Sequence, residues 1–169
     1  RSKIKTFSSS RKSGTGGFGW YVETAIPVKG NLNSTAGKTR YRMDLPQTLS
    51  IVQLPMVSGG AAGCLNLNRV TRPRLLGVPP GIFYDRFSLT PADVTWSNLQ
   101  KSDSSVIPAI ADKNVILWSL GLNIGDTLDY PGENGKMYKL KFIAGLENSI
   151  FQGLVLVSRH NLRRMFPGV

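Results

Sequence analysis

Three glycines near the start of the chain, Gly14, Gly16 and Gly19, stand in the GxGxxG spacing that lets a backbone approach a dinucleotide pyrophosphate. That chemistry needs a strand before the glycines and a helix after them, so that phosphate meets helix N–H groups. Here a polar Ser- and Lys-rich segment precedes and an aromatic, β-branched run follows, so no nucleotide role is assigned. Gly37-Lys38-Thr39 ends like a phosphate-binding loop, but the position five residues before Gly37 is Leu32, not glycine. One cysteine, Cys64, and one histidine, His160, rule out an intrachain disulfide and make no Cys/His metal cluster. Cys64 lies in the apolar run AAGCLNLN and reads as a buried structural thiol. His160 sits beside Arg159 on the polar side of a C-terminal helix and reads as exposed. No GxSxG elbow is present, and the 10 acidic residues are scattered. Asp126, next to Gly125, fits turn bonding better than acid–base work. The expectation is a chain that is not an enzyme and carries no cofactor or metal.

The charge is more informative. Against 10 acidic residues stand 21 Lys and Arg, for a formal net charge of +11 in 169 residues. A surplus of that size fits nucleic acid, an anionic membrane surface or an acidic partner. It gathers at Arg1, Lys3, Lys5, Arg11 and Lys12, again at Lys29, Lys38, Arg40 and Arg42, in Arg69, Arg72 and Arg74, and finally at Arg159, Arg163 and Arg164. Basic and aromatic residues interleave in KTRYRM at 38–43 and FYDRF at 83–87, which keeps a basic nucleic-acid-binding module as the alternative reading.

The elements that must carry these residues can be read from pattern. Hydrophobic residues make up 41% of the chain, enough for a real core, and no apolar run reaches the ~18–20 residues of a membrane span. Residues 1–17 read as a flexible lead-in and 18–169 as one domain, with a boundary between two subdomains placed near 105/106. Strands are expected at 18–28, at 50–57 near a sheet edge because of Pro55, and at 64–70. A short helix or loop is expected in 29–49, and RPRLLGVPPG at 72–81 reads as a proline-rich loop. Thr90-Pro91-Ala92-Asp93 reads as a helix start, with Ala92, Trp96 and Leu99 on one face. VIPAIA at 106–111 reads as a buried strand, and Asp112 as the cap of a helix that stops at Gly121. A hairpin follows, with arms at 126–130 and 137–146 around PGENG; Tyr138, Leu140 and Phe142 face one way and Lys139 and Lys141 the other. GLVLV at 153–157 is a further strand. Ser158 caps a last helix with a Leu162, Met165, Phe166 stripe and Arg159 and Arg163 opposite it. Strands and short helices interleave, so the fold class is α+β with a strand-rich second half.

Taken in order, SGTGGF at 13–18, ETAIPV at 23–28, CLNLNRV at 64–70, RPRLLGV at 72–78, IPAIAD, WSLGLNIGDTL and NSIFQGLVLVS resemble the extracytoplasmic domain of FtsX-like ABC transporter permeases. These are the superfamily of the MacB and LolC/LolE proteins, here in a form similar to large Bacteroidetes permeases. The resemblance covers about residues 13–167 and implies a fold similar to the MacB periplasmic core, a porter-like βαβ part with a smaller strand-rich part. It also implies a parent protein in the inner membrane, with this domain in the periplasm. The expected partners are a cytoplasmic ABC ATPase subunit, a second permease copy, and a periplasmic adaptor or lipoprotein; nucleic acid is not among them. The domain would be non-catalytic and would carry ATP-driven movement to a periplasmic substrate or partner, in efflux or in lipoprotein or envelope export. Under that placement Lys3, Lys5, Arg11, Lys12, Arg159, Arg163 and Arg164 become candidate contacts to an anionic lipid surface, at about 1 kcal/mol each.

Overall fold

The computed structural model describes residues 5–6, 10–44, 46, 48–59, 72–101, 103 and 105–169. Its centre is a seven-stranded mixed sheet whose strands are β3 (Met56–Val57), β4 (Arg74–Val78), β5 (Leu89–Thr90), β6 (Val106–Asp112), β7 (Thr127–Pro131), β8 (Met137–Leu146) and β9 (Leu154–Ser158). The order is β3-β4-β9-β6-β8, with β7 and β5 both pairing with β8. β4 runs parallel to β9, and β6 runs parallel to β8 and antiparallel to β9. A separate two-stranded ribbon joins β1 (Lys5–Thr6) to β2 (Trp20–Tyr21). The helices are short: α1 (Thr35–Arg40), α2 (Pro80–Phe83) and α3 (Arg159–Met165), with a 3-10 turn at Trp96–Gln100 and a π-helical turn at Val115–Ser119. This mixed architecture, one sheet and few helices, is compatible with the α+β class. No helix among the described residues is long and apolar enough to cross a membrane.

The period-two pattern of the hairpin is realised. Tyr138, Leu140 and Phe142 are buried while Lys139 and Lys141 are exposed, and Gly135 supplies the turn's positive φ of 77°. The alternation then breaks. Ala109 pairs with Phe142 but Ile110 with Ala144, so Ile143 is an extra residue in β8. Such a bulge turns every later side chain to the opposite face. Phe142 therefore packs with Leu75, Ala109, Val155 and Leu162, whereas Ala144 and Leu146 join Leu76, Ile110, Leu154 and Phe151 on the other side. α3 covers the first face with Leu162 and Met165, which are fully buried. An aromatic group covers the second: Phe83 lies edge-on to Trp96 at 5.0 Å, and Phe87 lies 5.3 Å from Phe151. The sheet also curls, bringing outer strand β7 back to β4, where Tyr130 Oη donates to the Pro73 carbonyl at 3.0 Å.

Three expectations are corrected. RPRLLGVPPG is no loop: its Arg74–Val78 portion is an interior strand with Leu75 and Val78 fully buried, because the prolines flank the strand without interrupting its ladder. Of 18–28 only Trp20 and Tyr21 pair; Val22 and Ile26 are exposed, since β propensity without a partner strand makes no sheet. The helix start at Thr90 is displaced. Leu89 and Thr90 are drawn into pairing with Leu146 and Gly145, and the turn begins after Thr95, whose capping box with Asn98 precedes buried Trp96 and Leu99. The strand expected at 64–70, with Cys64, lies outside the described residues. The sheet draws strands from both sides of residue 105.

Candidate functional site

Each of the neighbouring parallel strands β4 and β9 ends in a short helix. After Val78 the chain turns through Pro79 into α2; after Val157, Ser158 accepts from Asn161 N at 3.1 Å and starts α3. Between the two helices lies an open groove of about 570 Å3. One wall is apolar, formed by Pro79, Pro80 and Ile82, and the other carries Arg159 and His160, with Gln100 at the end of the 3-10 turn between them. Sites at the carboxyl ends of parallel strands are common because loops and helix starts converge there. Two bonds hold the polar wall. Arg159 Nη2 donates to the Gln53 carbonyl, and buried Asn161 donates through Nδ2 to the Leu99 carbonyl at 2.9 Å. No carboxylate lines the groove, and among the described residues no ion pair involves Arg159, His160, Arg163 or Lys101.

The candidate cations from the sequence do not form one cluster. Lys3 and the side chain of Lys5 lie outside the described residues. Arg11 is exposed, and Lys12 is paired with Asp85 at 2.7 Å. That pairing holds the Asp85 carboxyl below its ordinary range, through the hydrogen bond from Lys12 first and its charge second. Arg159, Arg163 and Arg164 share α3 but differ in role. Arg159 is half-buried on the groove, Arg163 is exposed one turn further on, and Arg164 Nη2 donates to the Asp103 carbonyl at 3.1 Å. Of the aromatics that interleave with basic residues, Tyr84 is 75% exposed and the others are engaged elsewhere. Phe83 and Phe87 are core residues, and the Tyr41 hydroxyl bonds to the Lys29 backbone. Arg86 stacks 4.5 Å from the Phe18 ring and donates to the Gly16 carbonyl at 2.6 Å.

Two terminal segments are fastened to the body. In residues 10–17, Phe87 N donates to Arg11 O at 2.7 Å, Ser88 Oγ to Lys12 O at 2.9 Å and Ile150 N to Gly14 O at 2.8 Å. Two of the three GxGxxG glycines have a packing reason here: a Cβ on Gly14 would strike the Asn148 carbonyl, and one on Gly16 the Phe87 ring. The docking of Ser10 to Gly17 is thus written in glycines that read as a flexible lead-in. At the other end Glu133 N donates to Met165 O at 2.9 Å, and Gly168 N to Glu133 Oε2 at 3.0 Å.

Sequence reasoning missed two features. Asp112, expected as a cap, does accept from Asn114 N at 3.1 Å, but its other oxygen is a buried hub taking Ser149 N and Gln152 Nε2, each at 2.9 Å. The π-helical turn presents Leu117 and Trp118, the latter 79% exposed. The apolar run VILW carries that second signal, but apolar residues in a run ordinarily mean core. Among the described residues no three His, Cys, Asp or Glu side chains gather as metal ligands. No protein-family model matches the chain, and no curated protein or solved structure is significantly similar to it.

Proposed function

We propose that this chain is a non-catalytic periplasmic domain of an FtsX/MacB-type ABC transporter permease in the inner membrane. It carries movement driven by a cytoplasmic ATPase to a periplasmic substrate or partner. The observation that supports this reading best is the fastening of residues 10–17 and 165–169 onto opposite parts of one sheet-based body. A segment held by several backbone bonds and a close glycine contact moves with the body, as mechanical coupling requires. The ordered motifs SGTGGF, IPAIAD and NSIFQGLVLVS, and the parallel pairs β4–β9 and β6–β8, are compatible with a porter-like layout. The nucleic-acid alternative has weaker support, because Phe83 and Phe87 of FYDRF are core residues and leave Tyr84 as the one exposed aromatic of that run.

The test uses the parent reading frame expressed in membranes. The proposal expects membrane spans on both sides of this segment, co-purification of an ABC ATPase, and a Gly14→Val variant that keeps ATP hydrolysis while losing transport or export. A parent recovered without membrane spans and without an ATPase overturns it.

A further inference from the structure

We infer that Asn134 is a site of spontaneous covalent modification: its deamidation converts the hairpin tip to an aspartyl or isoaspartyl turn and loosens the fastening of residues 165–168. The inference stands independently of the permease reading.

The reaction sets two requirements. The backbone nitrogen after the asparagine loses its proton to water and attacks Cγ. A C–N bond forms, the Cγ–Nδ2 bond breaks, and Nδ2 takes a proton from water and leaves as ammonia. Water then opens the five-membered imide at either carbonyl. The side chain must therefore be free to swing, and the next nitrogen must be reachable. Three asparagines precede a small residue: Asn33 precedes Ser34, Asn134 precedes Gly135 and Asn148 precedes Ser149. The others precede Leu, Ile, Val or Arg, whose side chains crowd that nitrogen.

Tertiary structure separates the three. The Asn33 amide is held at both ends, with Nδ2 donating to the Ile51 carbonyl and Oδ1 accepting from Ile51 N, each at 2.8 Å. The nitrogen after Asn148 is the buried Ser149 N–H, which donates to Asp112 at 2.9 Å. Asn134 has neither restraint. It lies in the exposed run 133–137, and among the described residues nothing bonds to its Nδ2, the leaving group. Its Oδ1 accepts from Lys136 N at 3.1 Å, which draws electrons from the carbon under attack. Gly135 N donates to the Gly132 carbonyl at 3.1 Å, a bond at an exposed tip that water readily replaces. A Cβ on Gly135 would meet nothing within 4 Å, so no neighbouring group shields the attack.

The change would be felt at the C-terminus. Glu133 N donates to Met165 O at 2.9 Å, and Glu133 Oε2 accepts from Gly168 N at 3.0 Å. Isoaspartate adds a methylene to the main chain next to Glu133. Either product adds a carboxylate beside that of Glu133 and lowers the net charge by one from +11.

The experiment holds the full chain at mildly alkaline pH, folded or in concentrated urea, and follows the three asparagines by tryptic mass mapping. In the folded chain Asn134 should convert more than about tenfold faster than Asn33 or Asn148, the factor that two extra hydrogen bonds supply. Urea should speed Asn33 and Asn148 by a similar factor and change Asn134 by less than about twofold. Asn134→Gln should stay unconverted, because its longer arm forms no five-membered ring. In the converted chain the Glu133 and Gly168 amides should exchange faster while that of Leu156 is unchanged. If folding slows Asn134 as much as the other two, the hairpin protects it and the site is overturned. Unchanged exchange at Glu133 and Gly168 after full conversion overturns the loosening.

Discussion

Residues 106–169 and residues 10–57 are built on different principles. The first region contributes both faces of the sheet, with Ile107, Leu140, Phe142, Leu156 and Leu162 fully buried. The second contributes no fully buried large apolar side chain among its described residues; Phe18, Tyr21, Leu54 and Met56 only lean against the core. Polar bonds hold it instead. Gln53 accepts from Leu32 N and donates to the Gly30 carbonyl, both at 2.9 Å, Asn33 exchanges two bonds with the Ile51 backbone at 2.8 Å, and Arg74 pairs with Glu23. Burial of a large side chain contributes several kcal/mol, whereas a single neutral hydrogen bond contributes about 1 kcal/mol net. The two regions should therefore open separately, the polar one at a lower free energy.

The hardest blow to the apolar region is Phe142→Ala, which should cost about 3–5 kcal/mol and lower the denaturant midpoint of the whole chain. Asp112→Ala comes next. It strips the buried Ser149 N–H of its acceptor and should cost about 1–3 kcal/mol by the same measurement. Gln53→Ala should speed amide exchange through about 30–57, reporting a local loss of about 1 kcal/mol, and leave the global midpoint in place. If that midpoint falls as far as it does for Phe142→Ala, the two regions are one cooperative unit and the contrast fails.

Two smaller effects depend on pH. Burial raises the Tyr130 phenol above its ordinary value of 10.0, with Arg72 opposing. The folded chain then holds a proton that the unfolded chain releases, so this contribution is full below about 10 and declines as pH rises through the folded value. Melting temperatures between pH 9 and 11 should fall less steeply in Tyr130→Phe, after allowance for its lost bond to Pro73. Asp85 has the opposite sign and the smallest effect. Its carboxyl is lowered by Lys12, so the contribution is present above 3.8 and lost on acidification through the folded value. Both side chains are well exposed, so Lys12→Ala should raise the Asp85 titration seen by NMR without a measurable change in melting temperature.

The groove divides along a similar line. The Ser158 cap, the exposed His160 and the apolar stripe of α3 are local features, legible from spacing alone. Its other wall was not, because Pro79 and Pro80 follow a strand that reads as a loop, and nothing local pairs Arg74–Val78 with a segment eighty residues later. Arg159 and Arg163 read as equivalent surface cations. They differ because one meets the Gln53 carbonyl across 106 residues of chain.

What the chain determined by itself is what near neighbours can decide. The 137–142 alternation, the Gly135 turn, the buried 106–111 run, the helix cap at Ser158 and the large positive charge all follow from residue type within a few positions. Tertiary structure decided the rest. It inserted Ile143 as a bulge and so reassigned Ala144 and Leu146, made Arg74–Val78 a central strand, and turned two GxGxxG glycines into close contacts with Asn148 and Phe87. The physical reason is common to all three: pairing register and close approach are set by distant partners competing for one core, and no local propensity encodes which distant backbone arrives.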